Sequence, residues 1–309
     1  MPSRRFLTRA GTALLVFASA QCGGDTQTRP TPSPPTSRGT APPSIPRPPA
    51  SQQVFVGAGD IGLCGSPGPE LTAKLLDGIA GTVFTLGDNA YTSGTAREYR
   101  DCYDPSWGRH KDRTRPVPGN HDYESPGAAP YFEYFGFNAG PAGLGYYSFD
   151  LGAWHVVALN SNIAARRNSV QGRWLRADLA SSQSLCTIAY WHHPLFTSGP
   201  DGDSAEMRDF WSILYDAGAE LVLAGHDHDY ERFAPQDPDG GRDLARGVRE
   251  FVVGTGGATP YRFVNIHPNS EARLSGVFGV LKLALENDGY RWEFVSTLGV
   301  GDSGNGSCH

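Results

Sequence analysis

Five short apolar runs in this chain each end in a turn whose side chains can hold a metal ion. That recurrence restricts the fold more than any other feature. QVFVGAGDIG (53–62) ends in Asp60, and GTVFTLGDNAY (81–91) ends in Asp88, Asn89 and Tyr91. TRPVPGNHDY (114–123) carries Asn120, His121 and Asp122, CTIAYWHHP (186–194) carries His192 and His193, and AELVLAGHDHDY (219–230) carries His226 and His228. A single His-x-His after a strand is ordinary turn chemistry; five such ends are not. The runs are β-branched and short, and stretches of helical period such as PELTAKLLDGIA (69–80) and SAEMRDFWSILYDAGA (204–219) lie between them. Together they predict an α/β protein in which loops at the carboxyl ends of strands converge on one site.

Glycine precedes Asp60, Asp88, Asn120 and His226. A residue without Cβ lets the chain turn sharply and brings backbone close to an ion. Carboxylate, amide oxygen, imidazole and phenol form a mixed oxygen and nitrogen donor set, which suits borderline or hard transition ions. There are enough donors for two ions, and two ions about 3.5–4 Å apart can hold both oxygens of an in-line phosphoryl displacement. Asp88 is the central candidate for a bridging carboxylate. Taken singly, Tyr91 also reads as a core aromatic, Asn120 as an Asx turn and His192 as a strand-end histidine bonded to backbone. Asp227 reads as a turn residue or a support for its neighbours.

The ordered set Asp60, GDNAY, GNHD, IAYWH and GHDH resembles the calcineurin-like metallophosphoesterases, and among them the purple acid phosphatases, over roughly residues 52–300. The resemblance implies a four-layer sandwich, two mixed β-sheets flanked by helices with a dimetal site at strand ends. Many relatives carry Asp-x-His at the first strand end, whereas Ile61 and Gly62 follow Asp60 here; Tyr91 matches the phenolate donor of the purple branch. By that resemblance Asp60, Asp88, Tyr91 and His228 hold a ferric ion, and Asp88 bridges to Fe, Zn or Mn held by Asn120, His192 and His226. His121 contacts the substrate phosphate and protonates the leaving oxygen. Asp122 either orients His121 or pairs elsewhere on the surface. His193 is a second phosphate contact, or it points to the opposite face of its strand end. Asp201 and Asp203 stand where related phosphatases often have a further histidine.

The reaction expected is hydrolysis of small phosphate monoesters. Phosphodiester or nucleotide hydrolysis at the same site, and a non-catalytic surface binding module, are the alternatives. A net charge of -6 and a pI near 5.8 provide no basic stripe for nucleic acid. Arg4, Arg5 and Arg9 precede a short apolar stretch ending in Ala18-Ser19-Ala20, so residues 1–20 read as an export signal, with lipidation at Cys22 the alternative. Secretion, a periplasmic location or a lipid anchor to the envelope follows. Residues 21–51, rich in Pro, Ser and Thr, read as a tether, and 52–309 as one catalytic domain. In an exported chain the four remaining cysteines suggest disulfides, Cys64 with Cys102 and Cys186 with Cys308, against buried free thiols. GTGG (254–257) lacks the Lys-Ser/Thr of a phosphate loop and reads as a turn closing the second sheet, within a segment REFVVGTGGATPYRF read as strand. The six tryptophans, mostly inside apolar runs, read as core.

Overall fold

Strands with large apolar side chains on both faces need a cover on each side, and this requirement sets the layers. In the computed structural model, residues 52–309 are described. Residues 1–20 and 21–51, read above as an export signal and a tether, lie outside them, and Cys22 with them. The strands are β1 (Gln53–Ala58), β2 (Gly62–Leu63), β3 (Thr82–Leu86), β4 (Ala90–Tyr91), β5 (Thr114–Val117), β6 (Tyr147–Leu151), β7 (Trp154–Ala158) and β8 (Cys186–Tyr190). They continue with β9 (Leu221–Ala224), β10 (Tyr230–Phe233), β11 (Arg249–Val253), β12 (Ser270–Leu274), β13 (Gly279–Leu285), β14 (Gly289–Ser296) and β15 (Ser303–Ser307). The α-helices are α1 (Gly68–Asp77), α2 (Ala96–Glu98), α3 (Asn120–Glu124), α4 (Ala129–Phe135), α5 (Val170–Ser181) and α6 (Arg208–Asp216).

Two mixed sheets form, one in the order β15-β14-β13-β1-β3-β5 and the other β12-β10-β11-β9-β8-β7-β6. The ligand-bearing strands are parallel within their sheets: β1 with β3, β3 with β5, and β8 with β9. Their carboxyl ends therefore share one edge of the sandwich. Side chains alternate as a period of two requires. On β8, Cys186, Ile188 and Tyr190 enter the core shared by the two sheets, while Ala189 and the following Trp191 enter a second core with Phe210, Trp211 and Leu214 of α6. Phe55 and Phe84 of the first sheet meet Tyr190 of the second at ring separations of 5.7 and 6.3 Å. Each such side chain, fully buried, contributes about 1.5–3 kcal/mol of transfer free energy. Helix α1 packs Ala73 and Leu76 into the same apolar cluster. The result is the expected four-layer arrangement.

Helices α1 and α6 fall where the helical period placed them, and β13 and β14 form the late hairpin. Five of the six tryptophans are buried, and Trp174 packs against the second core. The segment after β11 departs from expectation: only Arg249–Val253 is strand, and the GTGG run beyond it is irregular. Both disulfides join the expected cysteines, at Cα separations of 5.0 Å for Cys64–Cys102 and 5.5 Å for Cys186–Cys308. The second ties the start of β8 to the residue after β15, and so joins the two sheets covalently.

His155, on the α5 side of β7, sits between two carboxylates, with Asp178 at 2.8 Å and Asp150 at 3.1 Å. Burial opposes its charge, but the two carboxylates prevail and its pKa is raised above 6.5. A raised histidine pKa stabilises the fold fully below the unfolded value, and the contribution is lost as pH rises through the folded value. The stability lost in His155→Gln is therefore expected to be larger at pH 5.5 than at pH 9, as urea unfolding at the two pH values would measure. Replacing either cysteine pair by serine is expected to cost about 3–5 kcal/mol, more for the pair that closes the longer loop. The sequence separations are 38 and 122 residues, and oxidised wild type is the reference in the same titration.

Candidate metal centre

Asp60 and Asp88 are almost fully buried, at 0% and 1% exposure. Their only ion-pair partners among the described residues are histidines: His228 for Asp60, and His121 and His192 for Asp88. Each carboxylate divides its two oxygens in the same way. Asp60 Oδ2 accepts the backbone N–H of His226 at 2.9 Å, and Oδ1 accepts the hydroxyl of Tyr91 at 2.8 Å. Asp88 Oδ1 accepts the backbone N–H of His121 at 2.8 Å, and Oδ2 lies 3.0 Å from the same hydroxyl. One oxygen of each carboxylate thus latches a neighbouring loop while the other faces the centre.

Around the inward oxygens the expected donors form two overlapping groups. Tyr91 Oη is also 3.0 Å from His228 Nε2. On the other side of Asp88, His192 Nε2 is 3.4 Å from Asp88 Oδ2, 2.9 Å from Asn120 Oδ1 and 3.2 Å from His226 Nδ1. Donor atoms bound to one ion at about 2.0–2.2 Å stand about 3 Å apart, and this is the spacing found. All seven expected ligands are brought together.

The donor chemistry fits cations. His192 Nδ1 donates to the Leu86 carbonyl at 2.7 Å and His228 Nδ1 to that of Thr259 at 2.8 Å, so in both rings Nε2 turns its lone pair inward. The single phenolic hydrogen of Tyr91 faces three acceptors. An excess of lone pairs in a buried space calls for positive charge. Burial, with Asp60 and Asp88 beside it, pushes the Tyr91 phenol well above its ordinary value, so it ionises there only against a strong Lewis acid. Burial disfavours charge on His192, yet Asp88 raises it to about 9; a proton and a metal ion compete for the same place.

Tight turns deliver these side chains. Asp60, Asp88 and His226 have φ of 62°, 49° and 72°, a region non-glycine residues seldom occupy. A Cβ on Gly119 would lie 2.1 Å from Asp88 Oδ1, one on Gly87 2.6 Å from His192 Nδ1, and one on Gly225 2.7 Å from Asp60 Oδ2. Close approach is why glycine stands ahead of Asp88, Asn120 and His226.

His121 lies at the rim, 34% exposed in its side chain. Its Nδ1 donates to the Thr92 carbonyl, which leaves Nε2 3.9 Å from Asp88 Oδ2. Asp122 does not orient it. Fully buried, Asp122 accepts from Tyr99 Oη at 2.6 Å, Gly119 N at 2.8 Å and Asn89 Nδ2 at 3.0 Å, and it has no route to substrate. Burial, with Asp88 nearby, pushes it up to about 6. The expectation that it acts in catalysis beside His121 is corrected on that ground. His193 faces the site, although alternation favoured the opposite face: its ring lies 4.6 Å from that of His226, and Ser161 Oγ is 2.8 Å from its Nδ1. Burial and the neighbouring His192 and His226 push it down to about 2, so it is a neutral imidazole. Asp227 is a support, accepting from Thr197 Oγ1 at 2.7 Å and from Asp201 N at 3.2 Å.

The glycine-rich run after β11 does more than close a sheet. Gly256 N–H donates to Gly59 O and Ala258 N–H to Asp60 O, each at 2.8 Å, so the run backs the Asp60 turn. Just beyond it, Tyr261 stacks on His228 at 4.0 Å. The carbonyls of Leu86, Thr92 and Thr259 and the ring of Tyr261 were missed in the sequence. A backbone acceptor leaves no mark in residue type.

A sandwich with carboxylate, phenol, amide and imidazole donors gathered at parallel strand ends defines a metal-dependent phosphoesterase class. The model of the calcineurin-like phosphoesterase family matches residues 54–230, and the chain belongs to that family. Within it the chain is similar to purple acid phosphatases. It is 30% identical to purple acid phosphatase 15 of Arabidopsis thaliana, over 56% of this chain and 40% of the relative. It is 31% identical to purple acid phosphatase 21 of the same plant, over 59% and 45%. The chain spans about half the length of the curated relatives it matches. Among solved structures it is similar to the purple acid phosphatase PPD1 from yellow lupin (Lupinus luteus) seeds, with TM-score 0.72, 21% identity, and 84% of this chain and 54% of that one covered. It also matches GAP50, the anchor in the inner membrane complex of Plasmodium, with TM-score 0.66, 16% identity, and 84% and 89% covered. These two likenesses concern the fold.

Gly119→Ala is expected to displace Asp88 and weaken metal binding at least tenfold in a protein that still folds, with equilibrium dialysis against Zn²⁺ and near-UV circular dichroism as the two readouts.

Proposed function

We propose that the chain is an exported phosphomonoesterase of the purple acid phosphatase type. The observation that carries this reading is the hydroxyl of Tyr91, set within 3.0 Å of Asp60, Asp88 and His228. In this reading Asp60, Asp88, Tyr91 and His228 hold ferric iron, and Asp88, Asn120, His192 and His226 hold Fe, Zn or Mn. Bound there, the ion pair supplies Lewis acidity toward phosphate oxygens and activates water for in-line attack on phosphorus.

The chain's own side chains do the rest. His121, with Nδ1 tied to Thr92, keeps Nε2 for the substrate: protonated, it donates to the leaving oxygen. His193 is held by Ser161 and stays neutral, so it offers a hydrogen bond to phosphate rather than a proton. The loops fix these groups before substrate arrives, so little reorganisation is left for the transition state. Disulfides suit an oxidising compartment, which supports export. The fold is shared with a protein described as an anchor, so the complete donor set, not the fold, is what favours catalysis.

The test uses the purified full chain: elemental analysis, a visible spectrum, and hydrolysis of an aryl phosphate and an aryl phosphodiester from acid to alkaline pH. The expected result is about one iron per chain, a visible band lost in Tyr91→Phe, and monoester turnover on the acid side. His121→Ala is expected to lower kcat by about 10²–10⁴ with metal content unchanged. Two non-iron metals without colour would refute the ferric assignment, and faster diester turnover would refute the monoester assignment. No metal and no turnover would refute the enzyme.

A further inference from the structure

Two of the ligand loops meet at one buried carboxylate that touches neither substrate nor ligand side chain. Asp122 Oδ2 accepts three N–H groups: Asn89 N at 3.2 Å and Asn89 Nδ2 at 3.0 Å from the loop of Asp88 and Tyr91, and Gly119 N at 2.8 Å from the loop of Asn120. Its other oxygen, Oδ1, accepts Tyr99 Oη at 2.6 Å. Tyr99 is 1% exposed and opens a π-helical turn, Tyr99–Tyr103, that continues directly from α2. Its ring is stacked on Tyr134 at 5.0 Å and meets Phe135 edge-on at 6.0 Å. Three residues on, Cys102 is bonded to Cys64, next to the β2 strand whose ladder partner β4 ends in Tyr91.

We infer that Tyr99 and Asp122 form a clamp that sets the spacing between the Asp88–Tyr91 loop and the Asn120–His121 loop. Both are positioning residues for the metal centre. The clamp rests on the metal-centre reading above and deepens it. Asn89 is adjacent to Asp88, and Gly119 is adjacent to Asn120, so a hub bonded to both backbones fixes the separation of two ligands of one ion. Without Asp122, no other side chain among the described residues bonds both loops at these atoms. Tyr99 fixes the hub in turn, because it supplies the one donor to Oδ1, and its ring is wedged in the aromatic cluster of α4.

Asparagine can make all four bonds, with its carbonyl oxygen accepting the three N–H groups and its amide donating to the tyrosine oxygen. Asp122→Asn therefore removes charge while keeping geometry, whereas Asp122→Ala removes both. Tyr99→Phe keeps the packing but leaves Oδ1 without a donor.

The experiment titrates the full chain, stripped with chelator, with Zn²⁺ against a competing indicator. Near-UV circular dichroism checks folding, and kcat, KM and the pH–rate profile are followed on an aryl phosphate. Zn²⁺ affinity is expected to fall 10–100-fold in Asp122→Ala and about tenfold in Tyr99→Phe, and to stay within threefold of wild type in Asp122→Asn. In the impaired variants kcat should fall with KM nearly unchanged and with no shift of the pH profile. Wild-type affinity in both Asp122→Ala and Tyr99→Phe would overturn the clamp. So would an Asp122→Asn as weak as the alanine variant with a displaced pH profile, since the carboxylate charge would then matter more than its bonds. A wild-type chain that takes up no Zn²⁺ would overturn the metal-centre reading itself, and the clamp with it.

Discussion

Two carboxylates hidden from water hold this molecule's chemistry together. Among the described residues Asp60 and Asp88 have no lysine or arginine ion-pair partner, and each gives one oxygen to the backbone of another loop and one to the centre. A loop that moved would strip a buried charge of its hydrogen-bond partners, and uncompensated burial of charge costs far more than a surface hydrogen bond returns. The loops are thus coupled through their ligands as well as through the hub at Asp122. Backbone geometry yields to this coupling: three of the ligand residues sit at positive φ, each at a cost of order 1–3 kcal/mol. Gly87, Gly119 and Gly225 lie where any side chain would strike a carboxylate or an imidazole.

Backbone also fixes two of the histidine ligands. His192 and His228 spend their outer nitrogens on carbonyls of the first sheet's strand end and of the run after β11. Orientation and tautomer are set by backbone, the most rigid material available. A site prepared in this way selects ions by donor type and spacing, because the rings are not free to adapt.

Much of this was legible in the sequence, and the reasons lie in particular residues. Asp60, Asp88, Tyr91, Asn120, His192, His226 and His228 each follow a local apolar run, so a one-dimensional pattern locates them on strand ends. Parallel pairing does the rest. The cysteine pairs were legible for a related reason, since Cys64 and Cys102 each follow one of these ends. What stayed hidden depends on direction rather than position. His193 turns inward because Ser161 holds its ring, and strand alternation says nothing of a residue beyond the strand. Asp122 turns away from His121 because three N–H groups and a phenol claim it. The weakly amphipathic α5 and the polar edge strand β15 carry little periodic signal, and they exist through tertiary packing and pairing.

The bond between Cys186 and Cys308 lies at the start of β8, whereas His192 lies just past that strand's other end. The sandwich is therefore fastened like a clasp knife, with its rivet at the end remote from the ligands. At the ligand end the two sheets meet only through side chains and backbone hydrogen bonds. The covalent tie therefore holds the end of the sandwich remote from the ligands, and at the ligand end the carboxylates' own hydrogen bonds, such as that from His226 N–H to Asp60, join one sheet's loops to the other's.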